Sequence, residues 1–300
     1  MAIDDQPTLD DVTTKAATTG DDLAPKHPFG DLTYGSYLKV PELLNLQELL
    51  VADRSHDELL FIIIHQSYEL WFKQVLFELD TVIKLIGKHE WREATHLMER
   101  VVAIERCLVD QIHLLETMRP RDFCHFRQAL QPASGFQSLQ FREVEFVSGI
   151  RNPNYLRFLP EGSEGRARLQ RRLEEPSLPS VLADALRSAG YTLPDAFEED
   201  TPAWDDAVRA LLPIYRDVDA HLDVYRLCES IVAHDEWLGI WRYHHVRVVE
   251  RIIGAKMGTG GSKGVAYLAS TLSKRGVPLL WAVRSALDET QLFGKYEAPS

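Results

Sequence analysis

Four short stretches hold side chains out of keeping with their apolar neighbours. In FIIIHQSYELWFKQVLFELD (61–80), Phe61, His65, Tyr68 and Phe72 recur at helical spacing and so share one face. An imidazole on such a face is either a satisfied core histidine or a base or hydrogen-bond acceptor aimed into a buried apolar pocket. Arg127, in RDFCHFRQAL (121–130), follows Phe123 by four residues. It either snorkels to the surface or offers a planar fork to a carboxylate. In WRYHHVRVVERIIG (241–254), His245 shares a stripe with Trp241, Val249 and Ile252, whereas His244 aligns with Ile240 and Val248. Adjacent helical residues point about 100° apart, so both imidazoles cannot readily bind one ion. A single histidine suffices for a haem iron. Zinc needs three or four ligands, and no HExxH pattern supplies them. The fourth stretch, GTGGSKG (258–264), misses the phosphate-loop pattern because Ser262 precedes Lys263. It reads either as a connector after a helix end or as backbone N–H groups folded over an anion.

Long helices must position these groups. Ser55 and Glu58, three apart, form a capping-box pattern that opens a proline-free helix over 57–87, closed by Gly87. Its run 59–64 is apolar all round, which predicts burial on more than one side. A helix starting near Pro41 precedes it. A second long helix spans 90–118 and stops before Pro120, a short one spans 121–130, and 133–150 passes from loop to helix. Residues 160–203 read as surface helices joined by loops, and 205–257 as helical for most of its length, with a further helix after the glycine-rich loop. Strand-like alternation is nearly absent. The expected fold is all-α: one helical-bundle-like domain with peripheral helices over 29–290, between an acidic disordered tail at 1–28 and a short tail at 291–300.

Composition narrows the function classes. Forty-five acidic against 33 basic residues give a net charge of −12, which speaks against a dedicated nucleic-acid binder. The longest apolar run, Leu59–Ile64, is six residues, far short of a bilayer span, and the N-terminus lacks a signal-peptide pattern. Three cysteines, widely spaced and odd in number, give no disulfide framework. A soluble cytoplasmic protein is expected, with neither nucleic acid nor membrane as partner.

Taken together, LTYGSYL (32–38), HDELLFIIIHQSYELWFK (56–73), DFCHFRQALQPASGFQSLQFRE (122–143), WRYHHVRVVERIIG and GTGGSKG resemble the tryptophan 2,3-dioxygenase family over roughly 32–285. The resemblance implies an all-helical homotetramer with one haem b per subunit. The implied reaction inserts both atoms of O2 across the indole C2–C3 bond of L-tryptophan to give N-formylkynurenine, the first step of tryptophan catabolism to kynurenine. By motif, His245 resembles the axial haem ligand, His65 the residue that accepts the indole N–H, and Arg127 the partner of the substrate carboxylate. Thr259 resembles a residue contacting substrate ammonium and carboxylate. Phe61, Phe123 and Ser134 would line the pocket, while Tyr34, Tyr37 and Leu38 match a segment that reaches a neighbouring subunit's site. Before LLETM the family's aromatic-serine pair is replaced by Ile112 and His113, which is expected to add a hydrogen-bond donor near the haem. The alternative readings are a tryptophan-oxygenating paralogue of secondary metabolism, inserting one oxygen or acting on a substituted tryptophan, and a helical haem sensor.

Overall fold

The computed structural model describes residues 32–51, 55–254, 256 and 264–287. The tails expected at 1–28 and 291–300, and Thr259 with most of its glycine-rich loop, lie outside them. Among the described residues every regular element is helical. Two short helices, α1 (Tyr34–Leu38) and α2 (Val40–Leu44), precede three long ones: α3 (Asp57–Gly87), α4 (Trp91–Leu115) and, late in the chain, α10 (Leu222–Ile253). α4 packs against both α3 and α10 and forms the centre of the bundle. Between α4 and α10 come α5 (Pro120–Arg127), α6 (Leu139–Val147), α7 (Glu164–Glu174), α8 (Leu178–Ser188) and α9 (Pro202–Arg216). After α10 follow α11 (Val265–Ala269) and α12 (Pro278–Ser285). The main apolar core runs from Ile64 on α3 to Val283 on α12, and a smaller cluster joins Phe146, Tyr155, Leu156 and Leu169. No described helix is long and apolar enough to cross a membrane.

α3 begins and ends where the sequence predicts, but its first turn is built differently. The N-cap is His56, so Glu58 stands one place too early to close a capping box with Ser55. The Ser55 hydroxyl donates instead to the Asp122 carbonyl at 3.4 Å, and both Glu58 oxygens accept backbone N–H groups of Leu50 and Val51. The run 59–64 is also less enclosed than expected: Ile64 is buried, but Ile63 is 45% exposed. Leu70 and Phe77, seven and fourteen residues on, are exposed as well. The segment 160–203 is less superficial than expected, because α8 buries Leu178, Leu182 and Leu186 and packs on α3. The helical pattern from 205 onward is interrupted between α9 and α10, where His221 holds the Tyr191 hydroxyl at 2.7 Å.

Polar pins set the height of α10. His234 Nδ1 donates to Glu105 of α4 at 2.7 Å, and its Nε2 shares a hydrogen bond with Ser148, at the end of α6, at 2.8 Å. Asp235 accepts from the Gly276 N–H and the Trp281 indole N–H. All three side chains His234, Glu105 and Asp235 are buried, so each bond resists loss without water to replace it.

Candidate active site

A cavity of about 260 Å³ opens between α3, α5, α6 and α10. α3 contributes Phe61 and His65, α5 Phe123 and Arg127, and the following turn Ser134; α10 contributes Trp241 and His245. α3, α5 with the turn after it, and α10 are far apart in sequence, and the bundle brings them to one space.

His65 Nδ1 lies 2.7 Å from the Phe61 carbonyl oxygen. A carbonyl only accepts, so the proton of the neutral ring sits on Nδ1 and Nε2 keeps a lone pair. Burial pushes the His65 pKa down, partly opposed by the Phe61 carbonyl and the negative charge of Glu69, so the ring is a neutral acceptor at pH 7. The Phe61 ring lies 4.0 Å from it, centroid to centroid, and 5.7 Å from the Phe123 ring. One aromatic ring therefore lies against the imidazole, and a second packs behind that ring.

His245 faces the same cavity, stacked on Trp241 at 5.1 Å with the planes 13° apart. Burial lowers its pKa to about 4, helped by His65 and by the Arg142 charge, so it too is neutral and able to donate a lone pair to a metal. His244 turns away and meets the edge of His113 at 5.3 Å. Of the adjacent pair only His245 borders the cavity, as the helical angle requires.

Ser134 caps the 3-10 turn Gly135–Gln137 by accepting from the Phe136 N–H, which fixes it in the cavity wall. Ile112 lines the cavity, but His113 does not; it turns to Glu116, 3.4 Å away. The donor expected from this pair near the haem is therefore absent from the wall, because consecutive helical side chains diverge and only Ile112 faces inward. Tyr34 and Tyr37 are 78% and 71% exposed, and neither they nor Leu38 border this subunit's own cavity.

Sequence reading missed a buried charge cluster in the same wall. Glu145 of α6 accepts from Arg142 at 2.5 Å and from Arg242 of α10 at 2.8 Å. Arg142 also donates to the Tyr155 hydroxyl at 2.9 Å, and Tyr155 joins Tyr267 at 2.6 Å. Two guanidinium groups share one carboxylate, and the Nε atoms of both arginines are buried without a hydrogen-bond partner. The wall thus holds one uncompensated positive charge in a poorly solvated place, which favours an anionic occupant. The i, i+3 spacing of Arg142 and Glu145 in FREVEFV was the available signal.

Among the described residues no group of three or more histidine, cysteine or acidic side chains could hold a metal ion. One neutral histidine in an apolar cavity, beside excess positive charge, suits a flat apolar cofactor that brings its own metal and carboxylates. These residues fit a haem.

A family model described as tryptophan 2,3-dioxygenase matches residues 22–197 and 203–287. Relatives named tryptophan 2,3-dioxygenase include one from Nocardioides sp., 48% identical over 263 residues, covering 85% of this chain and 95% of the relative. One from Herpetosiphon aurantiacus is 44% identical, covering 85% and 98%, and one from Caulobacter vibrioides is 42% identical, covering 86% and 99%.

Proposed function

The chain belongs to the tryptophan 2,3-dioxygenase family, and from that premise we propose that the cavity between α3, α5 and α10 is where its reaction takes place. The activity is dioxygenation of L-tryptophan by O2 at the indole C2–C3 bond, giving N-formylkynurenine. The observation that carries the site assignment is the pair of neutral imidazoles, His65 and His245, bordering one apolar cavity with Arg127 in its wall.

His245 would hold the iron of haem b, and Arg142 and Arg242, in the same wall, would supply positive charge to its carboxylates. When bound, the haem supplies the redox iron that activates O2. The chain's own residues do the rest. Arg127 takes the substrate carboxylate as a bidentate fork. Nε2 of His65 accepts the indole N–H. Burial depresses the proton affinity of this imidazole, which suits it to accept a hydrogen bond in its neutral form. Phe61 and Phe123 close on the ring and exclude water. With the two ends of tryptophan fixed, indole C2 and C3 are presented in one orientation, and that positioning is the protein's main contribution to rate. Ser134 lines the pocket, and Thr259, by its family resemblance, is the residue for the substrate ammonium and carboxylate.

The catalytic domain is read as 29–290, and the assembly as a homotetramer in a reducing, cytoplasmic compartment. Support for assembly comes from the exposed apolar stripe Ile63, Leu70 and Phe77 and from the exposed arm bearing Tyr34, Tyr37 and Leu38. Such patches are unusual on a surface that stays in water. All three cysteines are free. The arm reaches a neighbouring cavity.

Incubation of the haem-replete protein with L-tryptophan and 18O2 tests the reaction. A product carrying two labelled oxygens is expected, whereas a single label would favour the mono-oxygenating paralogue.

A further inference from the structure

The arm that precedes α3 has local order but no packing of its own. Thr33 and Ser36 form a reciprocal capping box for α1, yet neither α1 nor α2 buries a residue. Leu32, Tyr34, Tyr37, Leu43 and Leu44 are all exposed. Val51 at the base packs against the core, but the two helices beyond it gain no direction from apolar burial. Polar ties at the arm's base supply it. Both oxygens of Glu58, which is 1% exposed, accept backbone N–H groups: Leu50 at 2.8 Å and Val51 at 3.0 Å. About two turns further along α3, Gln66 donates to the Leu46 carbonyl at 3.0 Å and accepts from Gln47 at 2.7 Å. Of these ties only those of Glu58 are charge-assisted and sheltered from water, the setting in which such bonds are strongest.

We propose that Glu58 is a positioning residue that acts in trans: it fixes the base of its own subunit's arm so that Tyr34, Tyr37 and Leu38 enter the cavity of a neighbouring copy. The inference rests on the reading, given above, that the arm serves a neighbour. A competing route exists in cis, because the same first turn of α3 also holds α5. Asp57 accepts from the Arg119 N–H at 3.4 Å, and Ser55 donates to the Asp122 carbonyl. α5 carries Phe123 and Arg127. The two routes differ in whose cavity is damaged when Glu58 is lost.

Mixed assemblies separate them. Full-length, haem-replete Glu58→Ala should keep its Soret band, raise KM for tryptophan roughly tenfold, the scale of losing strong hydrogen bonds, and expose 32–51 to faster proteolysis. Glu58→Gln, which retains one acceptor oxygen, should fall between Glu58→Ala and wild type, and it serves if the alanine variant folds poorly. Co-expression of Glu58→Ala with His245→Ala subunits, whose own cavities are silent but whose arms are intact, should return the KM of the Glu58→Ala cavities towards wild type. A Tyr37→Ala subunit mixed with His245→Ala is the control for the arm itself. If that control recovers while the Glu58→Ala mixture does not, Glu58 acts within its own subunit and the proposal is overturned. Unchanged KM and proteolysis in both Glu58 variants overturn it as well. If the control too fails to recover, the arm does not serve a neighbour, and the reading beneath the proposal fails first.

Discussion

At the scale of single residues, the account depends on which atom of each imidazole is free. The Phe61 carbonyl fixes the His65 tautomer, and burial keeps the ring uncharged. As pH falls, protonation would place a hydrogen on Nε2 and end its role as acceptor. Because the pKa is depressed, kcat/KM for tryptophan should hold through pH 6.5 and fall only below it; an acid limb above 6.5 would contradict this. His245 gives a stability signature in the haem-free protein. Its pKa is about 4 in the fold against 6.5 in the unfolded chain, so between those values the unfolded state binds a proton that the folded state does not. Stability from this group is therefore complete above pH 6.5 and lost as pH falls towards about 4, readable by denaturant titration across that window. Replacing Arg127 by Leu should raise KM by the equivalent of about 2–5 kcal/mol; an unchanged KM would mean that its guanidinium points to solvent. His65, Arg127 and His245 were legible in the sequence as polar misfits in apolar helices. The cluster of Arg142, Glu145 and Arg242 was not, because a basic–acidic pair at i, i+3 reads equally well as a solvated helix surface. Burial alone distinguishes the two, and burial is a property of the packed bundle.

At the scale of elements, α10 delivers His245 and Arg242 and α6 delivers Arg142 and Glu145, so anything that moves either helix is felt in the cavity. Glu145→Gln would leave Arg142 and Arg242 buried beside a neutral amide. It should destabilise the fold by about 3–5 kcal/mol, visible as a lower Tm, and weaken haem retention. Gly276→Ala tests the packing at the other end of α10. A Cβ there would stand 2.0 Å from the Ser148 carbonyl oxygen, in backbone that cannot yield as a side-chain tip would. A clear fall in Tm is expected; wild-type stability would show that the crossing of 148–150 and 276 is looser than described. Helix bounds were legible where glycine and proline punctuate them, as at Gly87 and Pro120. The interruption at 217–221 was not, because RDVDAH holds neither residue and the turn is kept by contacts such as His221 with Tyr191. The first turn of α3 was misread for a related reason. Glu58 satisfies the arm before it, and a pattern of two residues does not reveal which backbone N–H groups will come near.

At the scale of the whole molecule, the proposed assembly rests on the exposed apolar stripe of α3 and the exposed arm. Phe77→Glu together with Leu70→Lys should shift the assembly to smaller species in light scattering, with the helical content retained. An unchanged mass would place the subunit interface elsewhere. The stripe was hidden in the sequence because α3 is apolar enough to suggest burial by its own chain; the spacing of seven between Ile63, Leu70 and Phe77 was the overlooked clue. On the proposed reading, all of these features serve one event: an indole held by its N–H over the cofactor. The most direct measurement compares L-tryptophan with its 1-methyl derivative, which lacks that N–H, in wild type and in His65→Ala. Wild type should prefer L-tryptophan strongly in kcat/KM, and the preference should largely vanish in His65→Ala. An equal preference in the two proteins would contradict the account, because the indole N–H would then be held by some other group.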